Sequence, residues 1–133
     1  MAGPVIARMR WRDTRILRAI HLMLAAEYRE IPPTLDEAKL ARALEKPRAL
    51  IQAGTADAFR LAASYAAAIA HSRALGRGNG ALALAALDAV LRLGGKILDA
   101  PEAEAAAVLQ ELESGGIGAA EIEAWARANA AAA

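Results

Sequence analysis

Apolar residues recur along most of the chain at three- and four-residue steps, the spacing that places them on one face of an α-helix. The first such run covers residues 14–30. The second begins where Thr34 and Glu37 form a capping-box pattern, and ends near Pro47. A third follows Thr55, a candidate N-cap residue. Its apolar stripe consists of Phe59, Ala62, Ala63, Ala66, Ile69 and Ala70.

The most buried helix is predicted over residues 80–93, because only Asp88 and Arg92 are polar there. Two glycines at 94 and 95 predict its C-terminal cap. A short extended piece should follow, and then a helix over about 101–114 that begins at Pro101. The last amphipathic helix carries Ile117, Ile122 and Trp125, and for residues 130–133 we expect a disordered tail.

These elements predict an all-α fold, a compact helical bundle of about six helices around a buried central helix. The length of 133 residues fits one domain, 1–133. Apolar residues make up 56% of the chain and aromatic residues only 4%, so alanine and leucine dominate and favour helices over strands. Cysteine is absent, which excludes disulfides, and His21 and His71 alone do not predict a zinc site.

No segment has the roughly 20 uninterrupted apolar residues that a membrane span requires, and no signal sequence is evident. We therefore expect a cytoplasmic protein without a membrane partner. The net charge of +1 hides an arginine-rich start and a glutamate-rich end. This asymmetry is more typical of solvated helix surfaces than of nucleic-acid binding, for which the chain has few aromatic residues to stack on bases.

The stretch HSRALGRGNG, residues 71–80, places Arg73, Arg77, Gly78, Asn79 and Gly80 directly before the central helix. A helix N-terminus carries unpaired N–H groups and partial positive charge, so this loop is a candidate anion or nucleotide site that needs no metal. The alternative is a tight turn with asparagine as the N-cap residue, and the pattern alone favours it. Known nucleotide-binding fingerprints do not fit, because Ala-Leu follows the last glycine and a helix precedes the loop.

The order of four segments resembles the Doc (death-on-curing) branch of the Fic/Doc family, over about residues 11–129. The segments are WRDTRILRAIHLMLAAEY, LDEAKLARALEKPRALI, TADAFRLAASYAAAIAHS and LRLGGKILDAPEAEAAAVLQELESGGIGAAEIEAWARAN. The resemblance includes His21, Asp57, Phe59, Gly95 and Pro101. It implies an all-α fold and transfer of a phosphate or nucleotidyl group from a nucleoside triphosphate to a protein hydroxyl.

The family signature has the form His-x-Phe-x-Asp-Gly/Ala-Asn-Lys/Gly-Arg and aligns without gaps to residues 73–81. Residues 78–80 match it. Departures occur at four positions: Arg73 for the catalytic histidine, Leu75 for phenylalanine, Arg77 for the metal-binding aspartate, and Ala81 for the phosphate-binding arginine. An alignment that used His71 as the catalytic residue would need extra residues in the loop, so we interpret it as a helix-end residue.

These departures predict that the transfer chemistry is lost. A permanently protonated arginine cannot act as general base, and Arg77 would repel a magnesium ion. We therefore expect no catalytic residues, metal or cofactor, and a Doc-like module of a toxin–antitoxin system that acts by binding. The alternative is a rewired transferase or a phosphate-ligand-binding protein that uses Arg73 and Arg77. The resemblance implies two partners, a small antitoxin whose C-terminal segment folds on binding and a translation-factor target.

Overall fold

The computed structural model describes residues 36–54, 57–74 and 79–132. This part of the chain forms six helices and two short strands: α1 Glu37–Ala43, α2 Glu45–Ala53, α3 Ala58–Ser72, α4 Asn79–Leu93, β1 Lys96–Leu98, α5 Glu102–Ser114, α6 Ala119–Ala128 and β2 Ala130–Ala132. The predicted all-α fold class is confirmed, since most of the described residues are helical. The predicted helix over residues 14–30, with His21, lies outside the described residues.

The second predicted helix is two helices, and both of its predicted ends are wrong. Asp36 is the N-cap residue of α1, because its carboxylate accepts a hydrogen bond of 3.1 Å from the Lys39 N–H. Thr34 lies outside the described residues. Pro47 ends nothing: it is buried in the first turn of α2, where backbone N–H groups have no partner within the helix and a proline is tolerated.

Helix α3 is buried on most of its circumference. Asp57 rather than Thr55 caps it, and its carboxylate accepts a hydrogen bond of 2.9 Å from the Arg60 N–H. The predicted apolar stripe is confirmed as the buried side, with Phe59 half-buried at its start. Because four of the six side chains in this stripe are alanines, neighbouring helices can approach α3 closely.

Helix α4 is the predicted central helix. It packs mainly against α3, and also against α5 and β1. Its fully buried side chains are Leu82, Ala83, Ala86, Leu87, Val90 and Leu91. At its end the Gly94 N–H donates to the Val90 carbonyl at 3.1 Å, and Gly95 has a φ of +78°, which confirms the glycine cap.

The predicted extended piece is confirmed as β1, but the expectation of a disordered tail is not met for Ala130–Ala132. These residues form β2, which pairs antiparallel with β1 so that Lys96 lies opposite Ala132 and Leu98 opposite Ala130. Alanine has little intrinsic preference for strands. The pairing depends on the edge that β1 offers, which local sequence does not reveal.

The last two helices agree with their predicted positions. Pro101 directly precedes α5, and Gly115, with a φ of +88°, ends it. Ile122 is buried on α6, and the Trp125 indole N–H donates to the Glu104 carboxylate on α5 at 3.1 Å. Among the described residues no helix has the length and apolar character needed to cross a bilayer.

A charged contact joins the start of α3 to α6. The Arg127 guanidinium donates to Asp57 at 2.7 Å and to Glu123 at 3.0 Å, and it lies 4.9 Å from the centre of the Phe59 ring. Partial burial alone would raise the pKa of the Asp57 carboxyl. The hydrogen bonds from the Arg60 N–H and from Arg127 outweigh that effect, so this pKa lies below its ordinary value of 3.8.

This contact predicts how acid affects stability. Asp57→Ala should lower the free energy of unfolding by about 1 kcal/mol at pH 7, since the helix loses its cap. Asp57→Asn can still cap and should cost less. Because the pKa is lowered, the ionised carboxyl stabilises the fold above pH 3.8, and this contribution is lost as the pH falls through the pKa of the folded state. Urea unfolding at several pH values should show the free energies of unfolding of wild type and Asp57→Asn converging below pH 3.8. A difference between them that stays constant with pH would contradict this.

Candidate functional site

Helices α1, α2 and α3 border a cavity of about 680 Å³ whose sides differ in chemistry. One side carries the cations Lys39, Arg42 and Lys46. The floor consists of small residues from α3, namely Ser64, Ala67 and Ala68. His71 and Ser72 line its end, and Ala43 and Ala119 complete the lining. We call this cavity the basic groove.

The three cations lie in one row because of their spacing and because the backbone continues across the junction between α1 and α2. Lys39, Arg42 and Lys46 are separated by three and four positions, which places them on one helix face. The Leu44 N–H bonds to the Leu40 carbonyl at 3.0 Å, and the Arg48 N–H to the Leu44 carbonyl at 3.1 Å. The helical path therefore persists through the cap residue.

The row of cations is not paired with carboxylates in the described part of the chain. Lys39, Arg42 and Lys46 are exposed and form no ion pair with any described residue. None of the described residues that line the groove is acidic. The groove is therefore a concave surface of positive charge above a floor of small side chains.

The end of the groove is tied to two other helices. The His71 Nε2 lies 2.7 Å from the Leu112 carbonyl of α5, to which it donates. The Ser72 hydroxyl donates to the Ile69 carbonyl at 2.7 Å and accepts from the Ala74 N–H at 3.1 Å. These contacts confirm His71 as a helix-end residue, and they place the groove directly beside the start of the 73–81 loop.

The predicted loop residues have different environments. Arg73 follows α3 with a φ of +53°, in the left-handed region; it is exposed and makes no hydrogen bond to a described residue. Arg77 and Gly78 lie outside the described residues. Asn79 is only 3% exposed and is the first residue of α4.

Gly80, whose N–H we expected to be accessible to an anion, already binds a carboxylate of the chain itself. Its N–H donates to the Glu113 Oε2 at 2.9 Å. A Cβ atom at this position would lie 2.5 Å from that oxygen, so the close approach depends on glycine. Ala81, in the position of the family's phosphate-binding arginine, is half-buried. An external anion at the Gly80 N–H would have to displace Glu113.

Sequence reasoning missed both Glu113 and the cations of the groove. Glu113 lies in the last turn of α5, where the helix dipole disfavours a carboxylate, and the positive end of α4 compensates for this. Only the packing of α5 against α4 brings it to Gly80. Charges at helical spacing are usual on solvated surfaces, so Lys39, Arg42 and Lys46 carried no signal of a groove.

Comparison of the chain with models of known protein families finds no match, and comparison with curated proteins finds none either. The resemblance to the Fic/Doc family thus stays a prediction that rests on its residues. The groove and the loop have to be interpreted from their own chemistry.

The conformation of Arg73 predicts a stabilising substitution. A left-handed conformation costs a residue with a Cβ atom roughly 1 kcal/mol, and glycine adopts it without that cost. Arg73→Gly should raise the free energy of unfolding by about 0.5 kcal/mol after the extra chain entropy of glycine is subtracted. Arg73→Ala removes the charge but keeps the strain, so it is the matched control. If urea unfolding gave Arg73→Ala a free energy of unfolding equal to or higher than that of Arg73→Gly, this explanation would be contradicted.

The contact between Glu113 and Gly80 predicts a graded loss of stability. Glu113→Ala leaves the Gly80 N–H without its acceptor and should lower the free energy of unfolding by about 1 kcal/mol. Glu113→Gln keeps an acceptor oxygen and loses only the attraction to the helix dipole, which is worth about 0.3–1 kcal/mol. Thermal and urea unfolding of both variants would test this order. Equal losses would show that charge rather than the hydrogen bond determines the contact.

Proposed function

We propose that the chain is a Doc-like module of a toxin–antitoxin system, with a degenerate transfer loop, which acts by binding a protein partner in the cytoplasm. The observation that carries the proposal is the basic groove, which ends at His71 and Ser72, directly before the loop. The resemblance implies a small antitoxin whose C-terminal segment folds into a groove beside this loop. A concave surface of suitable position is present, and its cations lack partners among the described residues.

The residues of the loop support binding over catalysis. Arg73 stands in the position that the family signature gives to the general base, and an arginine side chain cannot take that role. The methyl side chain of Ala81 has neither the charge nor the donors of the family's phosphate-binding arginine. Loss of the base alone typically costs 10²- to 10⁴-fold in rate, and the other departures add to that. The same resemblance suggests a translation factor as the original target, which the chain would now contact without modifying it.

The alternative function is a rewired transferase or a phosphate-ligand-binding protein that uses Arg73 and Arg77 at the start of α4. One observation weighs against it, the bond between the Gly80 N–H and Glu113. A carboxylate from the chain already neutralises the positive end of this helix. The cations of the basic groove have no ion-pair partner among the described residues, and they favour binding of a partner there.

An activity assay tests the degenerate loop. With labelled ATP and magnesium, the purified protein should label no bacterial protein. The triple variant Arg73→His, Arg77→Asp, Ala81→Arg should recover part of the transfer. All three changes are needed together, because residues that act as a unit in catalysis restore little activity one at a time. Its far-ultraviolet circular dichroism must match that of the wild type. Magnesium-dependent labelling by wild type, abolished in Arg73→Ala, would refute the proposed loss of catalysis.

A binding assay tests the partner. The product of the reading frame adjacent to this gene should form a stable complex with the chain on co-expression, and it should be small with a C-terminal segment that becomes ordered on binding. Isothermal titration with the isolated C-terminal segment measures the interaction directly. If neither the adjacent product nor its C-terminal segment binds, the toxin–antitoxin assignment fails.

A further inference from the structure

The basic groove presents positive charge over a defined length. Lys39 and Lys46 are seven positions apart on one continuous helical path, a separation of about 10 Å along the axis. Arg42 lies between them. A phosphate ion would span only a small part of this row, so a ligand that pairs with all three cations must be elongated and carry several negative charges.

The lining of the groove differs from that of a site for an apolar small molecule. Its volume of about 680 Å³ falls within the range of about 300–1,000 Å³ for small-molecule sites. Such sites are lined mainly by large apolar and aromatic side chains. Among the described lining residues, the only aromatic ring is the imidazole of His71, and the apolar residues are all alanines.

The floor of the groove suits a polypeptide. Ser64, Ala67, Ala68 and His71 are separated by three, one and three positions, which places them in one stripe along α3. The side chains of Ser64, Ala67 and Ala68 are short and end at the Cβ or Oγ atom. A helix laid along this stripe could approach α3 closely, and its charged positions would then face the row of cations on α1 and α2.

We infer that the basic groove binds an acidic α-helical peptide segment whose carboxylates, three and four positions apart, pair with Lys39, Arg42 and Lys46. This inference rests on the proposed function, since it names the chemistry of the partner segment. Carboxylates at that spacing lie on one face of a helix and repeat the spacing of the cations opposite. Single-stranded nucleic acid is the less suitable polyanion, because the groove offers almost nothing on which bases could stack.

Fluorescence anisotropy with the whole protein tests the inference. The probe is a labelled, alanine-based peptide of about 18 residues, long enough to form helix in water, with glutamates three and four positions apart on one face. It should bind at low salt, and binding should weaken as ionic strength rises. A peptide of the same composition with its glutamates distributed around the helix should bind about tenfold more weakly. The triple variant Lys39→Gln, Arg42→Gln, Lys46→Gln should likewise bind the original peptide about tenfold more weakly than wild type does.

A matched control removes the same charge from outside the groove. Arg60→Gln, Arg92→Gln and Lys96→Gln together should leave the affinity within about twofold, because these residues do not line the groove. All substituted side chains are exposed or half-buried and should not affect folding, which circular dichroism checks. Equal losses in the two triple variants would overturn the inference, because net charge alone would then explain binding. A single-stranded oligonucleotide of equal charge that binds more tightly than the peptide would overturn it too.

The inference and the proposed function can fail separately. If the adjacent gene product binds wild type and the groove variant equally, the toxin–antitoxin assignment stands and the inferred groove contact is wrong. If the acidic peptide binds through Lys39, Arg42 and Lys46 while the adjacent gene product does not bind, the groove inference stands and the toxin–antitoxin assignment is wrong.

Discussion

The close packing of α3 against α4 is the constraint on which the rest of the described structure depends. Both helices are rich in buried alanines, so their backbones can approach closely and bury leucine and isoleucine side chains around the contact. Helix α3 also contacts α1, α2, α5 and α6. The positions that these neighbours leave half-buried, Ser64 and Ala68, become the floor of the basic groove. The groove is thus a consequence of how the core is covered.

Polar contacts at helix ends determine which ends meet. Asp57 pairs with Arg127 between α3 and α6, His71 donates to the Leu112 carbonyl of α5, and Glu113 accepts from the Gly80 N–H of α4. Alanines have no branched side chains that interlock, so an alanine-rich interface alone specifies the alignment of two helices weakly. The contact of Glu113 satisfies a backbone N–H at the start of a helix, where such groups have no partner within the helix. All three contacts make particular alignments favourable.

The two candidate sites in this part of the chain differ in whether a described carboxylate neutralises their positive charge. At the start of α4, the positive end of the helix is neutralised by Glu113 from within the molecule. Along the basic groove, three exposed cations lie beside small side chains and form no ion pair with a described residue. Unbalanced charge beside a concave surface attracts an oppositely charged partner from solution and guides its approach. This difference directs the functional interpretation toward the groove.

The sequence by itself determined the fold class, the central helix and the positions of α3, α5 and α6, because apolar periodicity and glycine caps act over a few residues. It did not identify the caps at Asp36 and Asp57, where several polar residues stood close enough to compete locally. The strand at Ala130–Ala132, the carboxylate of Glu113 and the groove beside Lys39 were decided only by tertiary structure. Each of them joins residues far apart in the chain, and a pattern within one segment contains no information about which distant segment will pack against it.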